Sequence, residues 1–162
     1  RNHPDITLEQ IERFRKSIDY SSFLKYFEIE KDLVSFLVTA KKLGFHLAIS
    51  TNRSDTMQLL LDEFSLTQYF GKVVTAVTAP KPKPAPDGMY EILDFFKVSS
   101  EETIFIGDSI IDYHHAANSN VTLVAFKNSE LATRYHISSF GELWSLPFNL
   151  AKKKNQLDTP LK

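Results

Sequence analysis

The most constraining feature of this 162-residue sequence is a change of hydrophobic period near residue 45. Upstream, apolar residues recur every three or four positions. Thr7 and Gln10 have capping-box spacing, with Leu8, Ile11, Phe14 and Ile18 behind them, which predicts a helix over 8–18. Residues 21–27 (SSFLKYF) read as a second short helix. Leu33, Phe36, Leu37, Ala40 and Leu43 form the stripe of an amphipathic helix over 30–43, and Gly44 stands where a C-cap glycine belongs. From His46 onward, short apolar runs alternate with helical stripes. Residues 46–50, 72–78, 103–106 and 121–126 read as strands, and 54–64, 86–96 and 109–117 as helices. The prolines between Ala79 and Pro86 require a loop. Short elements near 129–134 and 136–138 follow, then a last helix near 141–149 interrupted by Pro147. This alternation predicts an α/β fold, a parallel sheet with helices on both faces.

Composition removes several classes of function. Cysteine is absent, so disulfides, zinc–thiolate sites and cysteine nucleophiles are excluded. The formal charge is −1, which argues against a generic nucleic-acid partner. No apolar run approaches the roughly 20 residues of a membrane span, and the polar opening from Arg1 to Glu9 is no signal peptide. A cytoplasmic location is the expectation. The sequence opens at Arg1 without Met, so the start was removed or the sequence is a segment of something longer.

In parallel sheets, ligands bind beyond the carboxyl ends of the strands. The first strand ends in Ser50-Thr51-Asn52-Arg53, where a hydroxyl before a helix can donate to a phosphate oxygen. Turn and capping chemistry for Thr51 and Ser54 is the plainer alternative. The proline loop holds Lys81 and Lys83, whose ammonium groups flanking prolines pre-position; a solvated connector is the alternative there. The third strand ends in Gly107-Asp108-Ser109, with Asp112 one helical turn beyond Asp108 on the same face. Two carboxylates so placed can hold Mg²⁺, against the alternative of a capping Asp with a solvated neighbour. Gly107 permits a sharp turn or the close approach of a ligand. Hydroxyl, lysine and paired acids at successive strand ends together describe an anion-plus-metal pocket.

These residues resemble the haloacid dehalogenase superfamily, in particular its phosphoglycolate-phosphatase-like branch. LAISTNR (47–53) is similar to motif II of that family, KPKPAPDG (81–88) to motif III, and IFIGDSIIDYHHAANSNV (104–121) to motif IV. The intervals match as well, at 32 residues from Thr51 to Lys83 and 25 from Lys83 to Asp108. The resemblance covers about residues 30–140. It implies a Rossmannoid sheet and hydrolysis of phosphomonoesters through an aspartyl-phosphate with Mg²⁺. By position, Thr51 binds the transferring phosphoryl group and Asn52 shapes the pocket behind it. Lys83, rather than Lys81, offsets negative charge, Asp108 ligates the metal, and Asp112 completes the metal site by orienting a bound water or Lys83.

The sequence departs from the family pattern in three places. His115 replaces the first alanine of an Ala-Ala pair, and Asn120 replaces a glycine, a mild change because Asn tolerates the left-handed conformation. His114 and His115 point about 100° apart on a helix, so no shared metal site is expected. Third, motif I (Asp-x-Asp-Gly-Thr), which carries the nucleophile, is absent, and no Asp-x-Asp occurs in these residues. In the family that motif ends a central strand between those read here as 46–50 and 103–106. The expected organisation is therefore the remnant of a helical cap over 1–28, a core over 29–150 lacking that strand, and a polar tail over 151–162. The expected function is that of a phosphatase acting on a small phosphorylated metabolite. This chain alone is expected to be inactive without a segment carrying motif I. The alternative is a non-catalytic module that binds phosphate or a protein. A receiver domain is disfavoured, since its acids precede its hydroxyl and lysine.

Overall fold

A capping box starts the first helix. In the computed structural model, which describes residues 7–54 and 56–148, the Thr7 amide donates to Gln10 Oε1 at 2.9 Å and the Gln10 amide to Thr7 Oγ1 at 3.2 Å. Helix α1 follows over Leu8–Ser17, then a 3₁₀ helix over Tyr20–Tyr26. The amphipathic helix α2 spans Leu33–Lys42 and buries Phe36, Leu37 and Ala40. Gly44 beyond it has φ +82°, the left-handed C-cap that the sequence predicts.

The alternation then unfolds as β1 (Ala48–Ser50), α3 (Thr56–Glu63), β2 (Lys72–Val74), α4 (Asp87–Phe96), β3 (Ile104–Gly107), α5 (Ile110–Asn118), β4 (Thr122–Phe126) and β5 (Tyr135–Ile137). All strand pairings are parallel. On β4, Val124 points into a core with Phe36, Leu37, Leu61, Leu66, Ile137 and Leu143, whereas Leu123 and Ala125 pack with Ala116 and Leu131. That period of two puts α2 and α3 on one face and α5 on the other. Helix α4 packs on β1 and β2.

The hydrogen-bonded ladder is split. Among the described residues β1 pairs only with β2, and β3–β4–β5 forms a separate three-stranded sheet. β1 and β3 therefore each keep an unpaired edge, where the missing central strand was expected. Burial agrees: the inner residues of β4 are fully covered, whereas every residue of β1 and β3 is only half-buried.

Several elements are shorter than their sequence patterns. β2 ends at Val74 because the next hydroxyls close a turn: the Thr75 amide donates to Thr78 Oγ1 at 2.9 Å and the Ala79 amide to Thr75 O at 3.0 Å. The last helix is a 3₁₀ segment over Phe140–Ser145, since Leu146 before Pro147 is driven extended at ψ 148°. The short element near 129–134 is irregular, and only β5 forms there. Leu43, which the period puts on the stripe of α2, is exposed. Helix α3 spans Thr56–Glu63 after Ser54, the residue the sequence offers as its cap, and Asp55, the tail over 151–162 and the expected helix beyond Phe148 lie outside the described residues. Among the described residues no helix is long and apolar enough to cross a membrane.

Candidate active site

The predicted residues gather at the carboxyl ends of β1 and β3. β1 gives Thr51, whose amide extends the ladder to Val74 O at 2.9 Å and whose hydroxyl accepts from the Arg53 amide at 3.0 Å. Asn52 does more than shape a wall. Its Nδ2 donates to Lys83 O and its Oδ1 accepts from the Lys83 amide, both at 2.8 Å, so one side chain clamps both backbone groups of Lys83. The Lys83 ammonium then donates to Ser50 O at 2.9 Å and to Asp112 Oδ1 at 2.7 Å. It also lies 5.3 Å from the centre of the Phe105 ring. Lys81 stays exposed.

Asp112 is the most committed acid of the site. Its Oδ2 accepts from the Ser109 hydroxyl at 2.7 Å and from the amides of Asp108 and Ser109 at 3.2 Å. Ser109 returns the bond as N-cap of α5, accepting from the Asp112 amide, so the capping residue is Ser109 and not Asp108. Burial pushes the Asp112 carboxyl up, but hydrogen bonds from Lys83 and Ser109 and the Lys83 charge outweigh it and hold it below the ordinary range. The side chains of Lys83 and Asp112 are 13% and 8% exposed, so the pair is nearly dry.

Gly107 serves a purpose other than the expected turn or ligand contact. Its φ is not positive, and a Cβ there would lie 2.5 Å from Asp112 Cβ. The bare backbone is what lets Asp112 fold back over the end of β3.

Asp108 is exposed, and among the described residues its carboxylate has no protein partner. Its carbonyl accepts from Asn128 Nδ2 at 2.7 Å. An unpaired carboxylate beside a second acid suits Mg²⁺, which takes one or two carboxylates and keeps water and phosphate oxygens. Both Asp112 oxygens already accept from protein donors, so Asp108 is the acid free to meet an ion. No group of three or more acidic or histidine side chains able to cage a metal occurs among the described residues. Thr51 and Lys83 line one small pocket with Ser50, Thr75, Lys81 and His115, and the two acids stand outside it.

Three side chains have contacts at the site that the motifs did not assign: Ser50, His115 and Asn118. Asp112, His115, Ala116 and Ser119 recur at three- and four-residue spacing, and all four are buried. That spacing was the available signal for an inward-facing histidine.

The sequence model of the haloacid dehalogenase-like hydrolases matches residues 3–126. The chain is 31% identical over 132 residues to a protein of Caldanaerobacter subterraneus named "Putative pyrophosphatase PpaX", covering 80% of this chain and 53% of that protein. It is 30% identical over 86 residues to the phosphoglycolate phosphatase of Pseudomonas syringae pv. tomato, covering 52% of this chain and 32% of the enzyme. It thus spans about half of the first relative and a third of the second. Among solved structures, a HAD-superfamily hydrolase of subfamily IA from Geobacter sulfurreducens superposes with TM-score 0.79 at 32% identity, over 85% of this chain and 70% of that one. A HAD phosphatase from Thermococcus onnurineus shares the fold at TM-score 0.73 and 22% identity, over 85% and 68% of the two chains. With its parallel α/β core and these matches, the chain belongs to the haloacid dehalogenase-like hydrolases.

Proposed function

We propose that the complete protein is a cytoplasmic phosphatase that hydrolyses a small phosphorylated metabolite through an aspartyl-phosphate with Mg²⁺. The observation that carries this reading is the dry Lys83–Asp112 pair beside Thr51 at the strand ends, with Nζ to Oδ1 at 2.7 Å. An ammonium has three donors, and Lys83 uses two of them on Ser50 O and Asp112. The third is left for a phosphoryl oxygen. The Thr51 hydroxyl accepts from Arg53 and keeps its own proton to donate to the same group. Asp112 fixes Lys83 and the start of α5, and Asp108 would hold the ion. Bound there, Mg²⁺ would draw charge from the phosphoryl oxygens. Preset donors of this kind stabilise the charge of phosphoryl transfer without reorganising.

The reaction needs a carboxylate nucleophile, and no Asp-x-Asp lies in these 162 residues. A strand carrying one, paired between the open edges of β1 and β3, would set it opposite Thr51, Lys83 and Asp108. The names of the relatives support a small phosphorylated substrate. The lack of Asp-x-Asp also favours, in second place, a non-catalytic module that binds phosphate.

Asp108→Asn in the complete protein tests the assignment. The expected result is a loss of about 100-fold or more in kcat together with the response to Mg²⁺. Unchanged activity and metal response would remove Asp108 from the site. If the unsubstituted complete protein bound phosphate yet hydrolysed no phosphomonoester, the second reading would stand.

A further inference from the structure

His115 is fully buried, and the proposed chemistry gives it no part. Its Nδ1 is 2.7 Å from Ala85 O, and its Nε2 is 3.0 Å from Ser50 Oγ. A carbonyl can only accept, so Nδ1 carries the proton. Burial favours the neutral ring, and the Lys83 charge acts in the same direction. Nε2 is then an acceptor, and the Ser50 hydroxyl donates to it. Phe105 closes the remaining side, edge-to-face at 5.4 Å.

The partners are informative. Ser50 offers its carbonyl to the Lys83 ammonium and its hydroxyl to His115. Ala85 lies two residues after Lys83. Three consecutive carbonyls of this loop are each held by a side-chain donor: Lys83 O by Asn52 at 2.8 Å, Pro84 O by Asn118 at 3.0 Å, and Ala85 O by His115. Asn118 and His115 stand three apart on α5, the helix that carries Asp112 in its first turn. The loop bearing Lys83 is thus tied to both groups its ammonium touches. An alanine at position 115 reaches neither Ser50 nor Ala85.

We propose that His115 is a positioning residue, whose imidazole bridges Ala85 O and the Ser50 hydroxyl and so fixes the Lys83 ammonium between β1 and α5. The proposal rests on the phosphatase reading for its kinetic consequence, not for its geometry.

The test uses the complete protein with His115→Leu and His115→Asn. Leucine fills the space without a hydrogen bond, and asparagine restores a donor near the Nδ1 position. His115→Leu is expected to lower kcat at least tenfold with KM changed less than twofold, and His115→Asn to return within about threefold of the unsubstituted kcat. Equal activity of His115→Leu and the unsubstituted protein, or equal impairment of both variants, overturns the proposal. Two measurements stand apart from turnover and from the folding of the leucine variant. Long-range ¹H–¹⁵N spectra of the unsubstituted protein should show His115 neutral and protonated at Nδ1, with Ser50→Ala moving the Nε2 resonance. A proton on Nε2, or no response to Ser50→Ala, also overturns it. If the unsubstituted protein is inactive, the phosphatase reading fails while these spectra still decide the placement of His115.

Discussion

Gly107 has no side chain because Asp112 occupies the space one would need. A Cβ at that position meets Asp112 Cβ at 2.5 Å and Cγ at 2.8 Å, distances that force β3 or α5 to move. Gly107→Ala is therefore expected to cost about 1–3 kcal/mol in urea unfolding and to impair activity by displacing Asp112 from Lys83. Retained stability and activity would show that the end of β3 yields freely. The buried pair makes a second prediction. Lys83→Met leaves a largely buried carboxylate without its cation, at a cost of about 3–5 kcal/mol, and adding Asp112→Asn should recover much of it. Additive losses in that double-mutant cycle would mean the two groups are not coupled. Acid stability follows from His115, held below the ordinary histidine range chiefly by burial. The unfolded chain takes the proton at about pH 6.5, before the folded one does. This contribution is complete above that pH and is lost as pH falls toward the folded value. Asp112, also lowered, adds a further loss below its ordinary 3.8. Urea midpoints should fall as pH is lowered through the upper of these ranges, and His115→Leu should flatten that part of the curve. The resemblance to the family's motif intervals singled out Lys83 over Lys81, and the Lys83 ammonium donates to Asp112. The Ser50–His115 bond spans 65 positions, which no local period encodes.

At the scale of elements, helices were easier to read than strand lengths. The stripe of α2 placed Phe36, Leu37 and Ala40 inside because three turns of consistent spacing leave little freedom. The run KVVTAVT looked like one strand, yet side-chain hydroxyls at Thr75 and Thr78 satisfied the backbone locally and ended β2 after three residues. Helix ends were legible where glycine or asparagine marked them, as at Gly44 and Asn120, both with positive φ. Helix α4 closes instead on Lys97 with φ 54°, a left-handed residue that composition does not flag. An L side chain there costs about 1 kcal/mol relative to glycine. Lys97→Gly is thus expected to raise the melting temperature by about 2–4 °C, since the Lys97–Asp94 pair it removes is about four-fifths exposed and contributes little. A lower melting temperature would mean that ion pair outweighs the backbone strain.

For the molecule as a whole, the parallel order was legible from the alternation of periods, and the split in the sheet from the family resemblance, which puts the missing motif I on a central strand. The exposure that the split leaves was not legible, because it depends on which strands are neighbours. β1 shows the consequence at atomic detail. Leu47 O and Thr51 N bond toward β2, so the alternate residues Ala48 and Ser50 face the open edge. Lys83 takes the outward carbonyl of Ser50, which ties the site chemically to the edge of the sheet. β3 likewise pairs along one side only. In these 162 residues alone, amide hydrogen exchange should therefore alternate along β1 and β3, slow where an amide faces β2 or β4 and fast where it faces the gap. β4 is paired on both sides at Val124 and Ala125, and both of those amides should be slow. In a complete protein with a nucleophile strand between the two edges, the alternation should disappear and Mg²⁺-dependent phosphatase activity should accompany the change. Uniformly slow exchange in β1 and β3 of the 162-residue chain would mean its edges already pair, leaving no place for that strand. Alternation that persists in the complete protein would place the nucleophile elsewhere. The same spectra thus test the fold and the proposed chemistry together, because one strand would both close the sheet and carry the carboxylate.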